Sequence, residues 1–133
     1  SNRADLPSML GLLRDELDDH VAGESAHRAA LAVNPSNAKL HNNLGYNLWL
    51  QGKREEAVTA FRRALSLDSH FAIARNNLGR VLLESSSEQD RREAVEHFEA
   101  AAGRVAGHNN AAAVLMEQGR YDEARKELEQ ALA

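Results

Sequence analysis

Asn42-Asn43-Leu44-Gly45 returns as Asn76-Asn77-Leu78-Gly79, and again in degraded form as Asn109-Asn110-Ala111-Ala112. The first two copies stand 34 residues apart, a spacing that belongs to stacked helix–turn–helix units. One such unit cannot bury its apolar face alone, so neighbouring copies must stack. From Ala38 to Phe71 the apolar residues recur every three or four positions in two blocks, Leu40/Leu44/Leu48 and Ala57/Phe61/Ala64/Leu65. The period is helical and is broken once, at Gln51-Gly52-Lys53, which predicts two antiparallel helices. Gly52 falls where a helix C′ residue turns left-handed, and Gly119 takes the same place in the last copy. Gly45 falls inside the first helix, where glycine costs about 1 kcal/mol relative to alanine. A packing reason is expected: the missing side chain lets the second helix approach near Ala57.

Outside the repeated stretch, composition narrows the class. The 133 residues are 43% hydrophobic, with few aromatics and only two prolines, which predicts an all-helical chain. Sixteen Lys and Arg against twenty Asp and Glu give a formal charge of −4, which disfavours nucleic acid and anionic lipid as partners. There is no cysteine, so disulfides and thiolate zinc sites are excluded. No apolar run approaches the roughly 20 residues of a membrane span, and no direct membrane contact is expected. The start lacks a signal peptide and Ser1-Asn2 reads as a cleavage scar, so a cytoplasmic location is favoured, with the periplasm as the alternative if a leader was removed. Residues 1–37 carry three basic and six acidic groups, whereas 38–71 carry five basic and three acidic. Asp15, Glu16, Asp18 and Asp19 make most of that acidic end and read as a solvated helix end and turn.

The repeated residues resemble the tetratricopeptide repeat, whose pattern runs aromatic, Leu-Gly, Tyr, Ala, Phe, Ala, Pro. Unit two, 38–71, matches it with Leu44-Gly45, Leu48, Ala57, Phe61 and Ala64, His41 standing for the first aromatic and Ser69 for the proline. Unit three, 72–104, offers Leu78-Gly79, Leu82, Ala94, Phe98 and Ala101, with a turn three residues longer around 85–90 and a second helix ending early at Gly103. Unit four, 105–133, offers Ala111-Ala112, Leu115, Tyr121, Ala124, Leu128 and Ala131. One period upstream, unit one spans 4–37 with Ala4, Leu10-Gly11, Ala30, Leu31 and Pro35, while Arg14, Gly23 and His27 replace Tyr, Ala and Phe. Asp19 is a candidate N-cap for its second helix, and Gly23 makes that helix the weakest expected.

The resemblance implies a single all-α domain, a right-handed superhelical solenoid of about four antiparallel helical hairpins. It also implies a scaffold that holds a protein or peptide in its concave groove, with no enzymatic activity and no cofactor. Two alternatives come with it: a regulatory or targeting repeat segment of a larger enzyme such as a glycosyltransferase, and a self-assembling module of a pilus or secretion assembly. Family geometry places on the groove Lys39, Asn42, Asn43, Tyr46 and Leu50 of unit two; Ile73, Asn76, Asn77, Arg80 and Glu84 of unit three; and Ala106, Asn109, Asn110, Ala113 and Glu117 of unit four. Six asparagines at equivalent places form a ladder, and side-chain amides supply both donors and acceptors for an extended backbone without reading its side chains. Because asparagine is a poor helix former, its recurrence points to binding, and the amides are expected to face solvent in the free protein. The basic clamp of relatives that grip chaperone tails is not matched: Asn43 fits, but Ser8, Leu12, Ile73 and Asn77 are not basic.

The remaining features read as structural. Glu93/His97 and Glu16/His20 stand one helical turn apart and are expected to be exposed ion pairs, since two ligands make no closed metal site. His41 and His108 occupy the first-aromatic place and are expected to pack, as is Trp49 at the end of its helix. No phosphate loop, nucleophile elbow or HExxH motif occurs. The last helix repeats the apolar pattern Ala124, Leu128, Ala131, Leu132, which predicts a sticky C-terminal edge: either a homodimer forms through it or the chain is a piece of a longer array.

Overall fold

The computed structural model describes residues 5–133; Ala4, the opening position of unit one, and Ser1-Asn2 lie outside the described residues. Eight helices follow one another among them: α1 Asp5–Glu16, α2 His20–Val33, α3 Ala38–Leu50, α4 Arg54–Leu67, α5 Ala72–Leu82, α6 Glu88–Ala102, α7 Arg104–Glu117 and α8 Tyr121–Leu132. Short side chains start several of them. Asp19, Asn37 and Ser87 each accept the backbone N–H three residues ahead, at 3.4, 3.2 and 3.3 Å, satisfying donors that a helix start leaves open. Gly52 and Gly119 end α3 and α7 at φ 78° and 74°, a left-handed turn that glycine makes without strain.

Two compact units divide the chain, Ser1–Ser69 and His70–Ala133. In the first, α1 pairs with α2 and α3 with α4, while α3 also lies against α2 and α1. The same pattern recurs in the second unit: α5 pairs with α6, α7 with α8, and α7 also contacts α6 and α5. The first three hairpins are each locked by a ring seated on a glycine, whereas α7 carries Ala112 at that place. A Cβ on Gly45 would lie 2.7 Å from Cε1 of Phe61, and one on Gly79 would lie 2.8 Å from Cζ of Phe98. The close contact expected at Gly45 is thus made by the Phe61 ring rather than near Ala57. Phe61 is fully buried, Phe98 nearly so, and the alanines at 57, 64 and 94 let the helices close around them.

Three local expectations are corrected. The long turn of unit three ends at Ser87, because that residue caps α6 and draws Glu88, Gln89 and Asp90 into its first turn. The helix carrying Gly23 forms over fourteen residues, since Gly23 is buried where a Cβ would press 2.8 Å against Oδ1 of Asp15. The third concerns apolar exposure. Leu128 and Leu132 of α8 are exposed at 40% and 88% as expected, but α1 exposes a longer stripe through Leu6, Met9, Leu10 and Leu13, continued by Leu17 in the turn that follows.

Candidate functional site

Within the first unit, the polar network at the heart of the structure centres on Asp15, which the sequence pattern placed in solvent. Asp15 has a side chain only 8% exposed. Its Oδ2 accepts from Nε2 of His27 at 2.8 Å, and its Oδ1 accepts from Nδ1 of His20 at 3.0 Å and from the Asn47 amide at 2.6 Å. His27 is buried and takes the place that Phe61 and Phe98 hold in the next hairpins; a Cβ on Gly11 would lie 2.6 Å from its Cε1. Burial alone would raise the Asp15 pKa, but the bonds from His20, His27 and Asn47 outweigh it and hold the carboxyl below 3.8. His20 therefore pairs with Asp15, not with Glu16. Asn47 also donates to the His20 carbonyl at 2.8 Å and accepts from Gln51 at 2.7 Å. Gln51 and Lys53 reach Glu24 at 3.0 and 3.1 Å, while Arg28 does so at 2.9 Å. Against the opposing effect of burial, those donors lower the Glu24 pKa to about 2. The network joins α1, α2 and α3.

On the inner faces, the asparagines divide into buried and open members. Asn42 is 7% exposed and belongs to the packing of α3, which corrects the expectation that it faces solvent. Asn43 is half-buried and donates to the Ser8 hydroxyl at 3.5 Å, linking α3 to α1. Lys39 is exposed, and Tyr46, 42% exposed, meets Trp49 edge-on with centroids 5.8 Å apart. Trp49 is accordingly only half-buried.

In the second unit, four residues picked from the sequence converge. Asn76 and Arg80 of α5 with Asn110 and Ala113 of α7 line a cavity of about 230 Å³, closed by Phe98 and Val114. Oδ1 of Asn76 is buried there without a hydrogen-bond partner, so it accepts from outside once the side chain turns outward. Asn110 is exposed, Asn77 half-buried, and Asn109 exposed outside the cavity lining. Arg80 and Glu117, both placed on the groove by the repeat pattern, pair with each other at 3.1 Å across α5 and α7. Glu84 is exposed beyond the end of α5 and lines a different pocket with Ser86, Gln118 and Arg120.

Histidine does the most that spacing failed to announce. Glu93 and His97 pair at 3.4 Å as expected, but half-buried rather than exposed. His108, expected only to pack, is held between Glu127 on Nδ1 at 2.8 Å and Glu99 on Nε2 at 3.0 Å. Among the described residues no group of three or more His, Cys, Asp or Glu is arranged to hold a metal ion. None of the described helices is long and apolar enough to cross a membrane.

Comparison with known proteins agrees with this geometry. The tetratricopeptide repeat family model matches residues 38–71 and 105–133. The peroxisomal targeting signal receptor of Candida glabrata is 40% identical over 77 residues, which cover 56% of this chain and 12% of that receptor. The human protein O-mannosyl-transferase TMTC1 is 41% identical over 59 residues, 44% of this chain and 6% of the transferase. The chain thus spans only a small part of these relatives. The crystal structure of MamA shares the fold with a TM-score of 0.74 at 20% identity, covering 98% of this chain and 77% of that one.

Proposed function

Because this chain is a tetratricopeptide-repeat protein, we propose that it is a non-enzymatic scaffold whose first-helix faces hold a protein or peptide segment. The observation that carries the reading is the cavity between α5 and α7, where an unpartnered acceptor on Asn76 stands beside the exposed amide of Asn110. An extended segment would donate a backbone N–H to Asn76 and accept from Asn110, while a small apolar side chain rests on Phe98 and Val114. Since Arg80 and Glu117 neutralise each other, charge on the segment adds little to selection there. In the first unit, α3 presents Asn43 and Tyr46, while Asn42 is buried.

The test is a pull-down with the full-length protein, comparing wild type with an Asn76→Ala/Asn110→Ala double variant. Partners that are lost on the variant, at an unchanged melting temperature, support the reading. A partner retained at wild-type affinity moves the site elsewhere. The partial match to a transferase favours a second reading, in which the chain is the binding segment of a larger enzyme; the full open reading frame decides it. Self-association rests on the exposed Leu132, and sedimentation of wild type against Leu132→Arg tests it.

A further inference from the structure

A second cavity, of about 430 Å³, lies in the first unit between α2 and α4, over α3. Its floor is aliphatic: Leu31, Leu44, Leu48 and Ala60. Its rim holds two guanidiniums, Arg28 and Arg63, against the one carboxylate of Glu56. Arg28 is already engaged by Glu24 at 2.9 Å. Arg63 is not. It donates to the Ser66 hydroxyl at 3.2 Å, and among the described residues no carboxylate pairs with it.

The second unit shows how the same place is completed when the chain supplies the missing group itself. In repeat register, His41 corresponds to His108, Ala60 to Glu127 and Arg28 to Glu99. There the Glu127 side chain, 7% exposed, runs in from α8 and sets its carboxylate against His108 at 2.8 Å, with Glu99 on the other ring nitrogen at 3.0 Å. In the first unit alanine replaces that glutamate and arginine replaces its companion. The stem is missing and the sign of the rim is reversed. His41 is turned to the chain instead, donating from Nε2 to the Pro35 carbonyl at 2.8 Å.

The geometry points to a second recognition site, distinct from the first-helix faces: the α2–α4 cavity takes an acidic peptide segment in which an aliphatic side chain stands beside a glutamate. The aliphatic group covers Leu44 and Leu48, and the glutamate carboxylate pairs with Arg63, providing from outside what Glu127 provides within the second unit. Aliphatic burial fixes the depth of insertion, and the charge-assisted guanidinium contact fixes its chemistry.

The experiment titrates the full chain, followed through the Leu44 and Leu48 methyl signals by NMR, with acetyl-Ala-Leu-Glu-Ala-amide and its Leu→Ala and Glu→Gln analogues. Each analogue is expected to bind about tenfold more weakly than the parent, one charge-assisted bond or one buried side chain corresponding to roughly that factor. Arg63→Gln should weaken the parent about tenfold and leave the Glu→Gln analogue unchanged, a readout that general loosening of the fold cannot imitate. Ala60→Glu, which restores the internal glutamate, should abolish the methyl shifts while circular dichroism keeps its helical signal. Equal binding of all three peptides, parent binding unaffected by Arg63→Gln, or no methyl shift at all would overturn the proposal. Hexanoate binding more tightly than the peptide would also overturn it, assigning the cavity to a small free acid.

Discussion

The first and second hairpins use one steric device with opposite chemistry. In both, a glycine on the first helix receives a ring from the second: Gly45 receives Phe61, and Gly11 receives His27. The phenylalanine needs nothing more than apolar neighbours. The histidine brings a polar ring into a buried place, so a carboxylate, Asp15, must follow it in, and Asn47 must follow the carboxylate from a different hairpin. One exchange at the lock position thus recruits residues from three helices. The lesson is that a repeat position conserves a shape more strictly than a polarity, and that a polar filling spreads its requirements sideways.

The largest effect should come from emptying the apolar lock. Phe61→Ala is expected to cost about 3–5 kcal/mol by chemical denaturation, because the ring is fully buried and its place cannot collapse. A loss under about 1 kcal/mol would mean that the glycine contact is incidental. Overfilling should hurt as well: Gly79→Leu drives a side chain into the Phe98 ring and should cost about 1–3 kcal/mol despite better helix propensity. An unchanged thermal midpoint would show that α5 and α6 do not approach there.

Breaking the polar lock gives a comparable but differently distributed loss. Asp15→Ala leaves His27 and Asn47 buried without their acceptor and should cost about 1–3 kcal/mol. Hydrogen exchange should report that loss across α1, α2 and the end of α3, whereas Phe61→Ala should report it mainly in α3 and α4. If Asp15→Ala proves neutral, the network is ornamental to stability.

Acid should separate the two hairpins further. The folded pKa of Asp15 is below 3.8, and that of Glu24 is lowered from 4.5 to about 2. Depressed carboxyl values contribute stability that is present above the unfolded values and lost as pH falls through the folded ones. Between pH 4.5 and about 2, amide protection in α1 and α2 should therefore decline before that in α3 and α4, whose lock carries no carboxyl. Parallel decline of both hairpins in an exchange series would contradict the asymmetry. The smallest effect is expected at the open asparagine: Asn110→Ala should leave stability within about 0.5 kcal/mol while weakening a partner by about 0.5–1.5 kcal/mol. Asn42→Ala should do the reverse, because that amide is buried. Calorimetric binding with a captured partner reads both.

Much of this arrangement was legible. Asn-Asn-Leu-Gly and its period announce the hairpins, Gly52 and Gly119 announce their turns, and Asp19 announces its cap, because each of these signals is local. Four cavity residues, Asn76, Arg80, Asn110 and Ala113, were reachable from repeat phase alone. Asp15 was not. Its neighbours Glu16, Asp18 and Asp19 are solvated, and the ring that draws it inward, His27, stands on the next helix, where periodicity within one helix does not reach. One signal was available: Asn47 stands where the later repeats have Val81 and Val114, a polar residue in an apolar register. The pairing of Arg80 with Glu117 and the bracketing of His108 are likewise long-range facts, which spacing within one helix does not contain.

Gly103, which closes α6 at φ 92°, is also the residue from which α7 starts. No connecting segment separates these two helices, in contrast with the stretch 83–87 between α5 and α6. A protease must draw several residues of extended chain into its cleft, and a one-residue joint has none to lend. Digestion of the native protein should therefore begin in the serine-rich stretch at 85–87 and spare 103, so that α6, α7 and α8 are released as a single fragment.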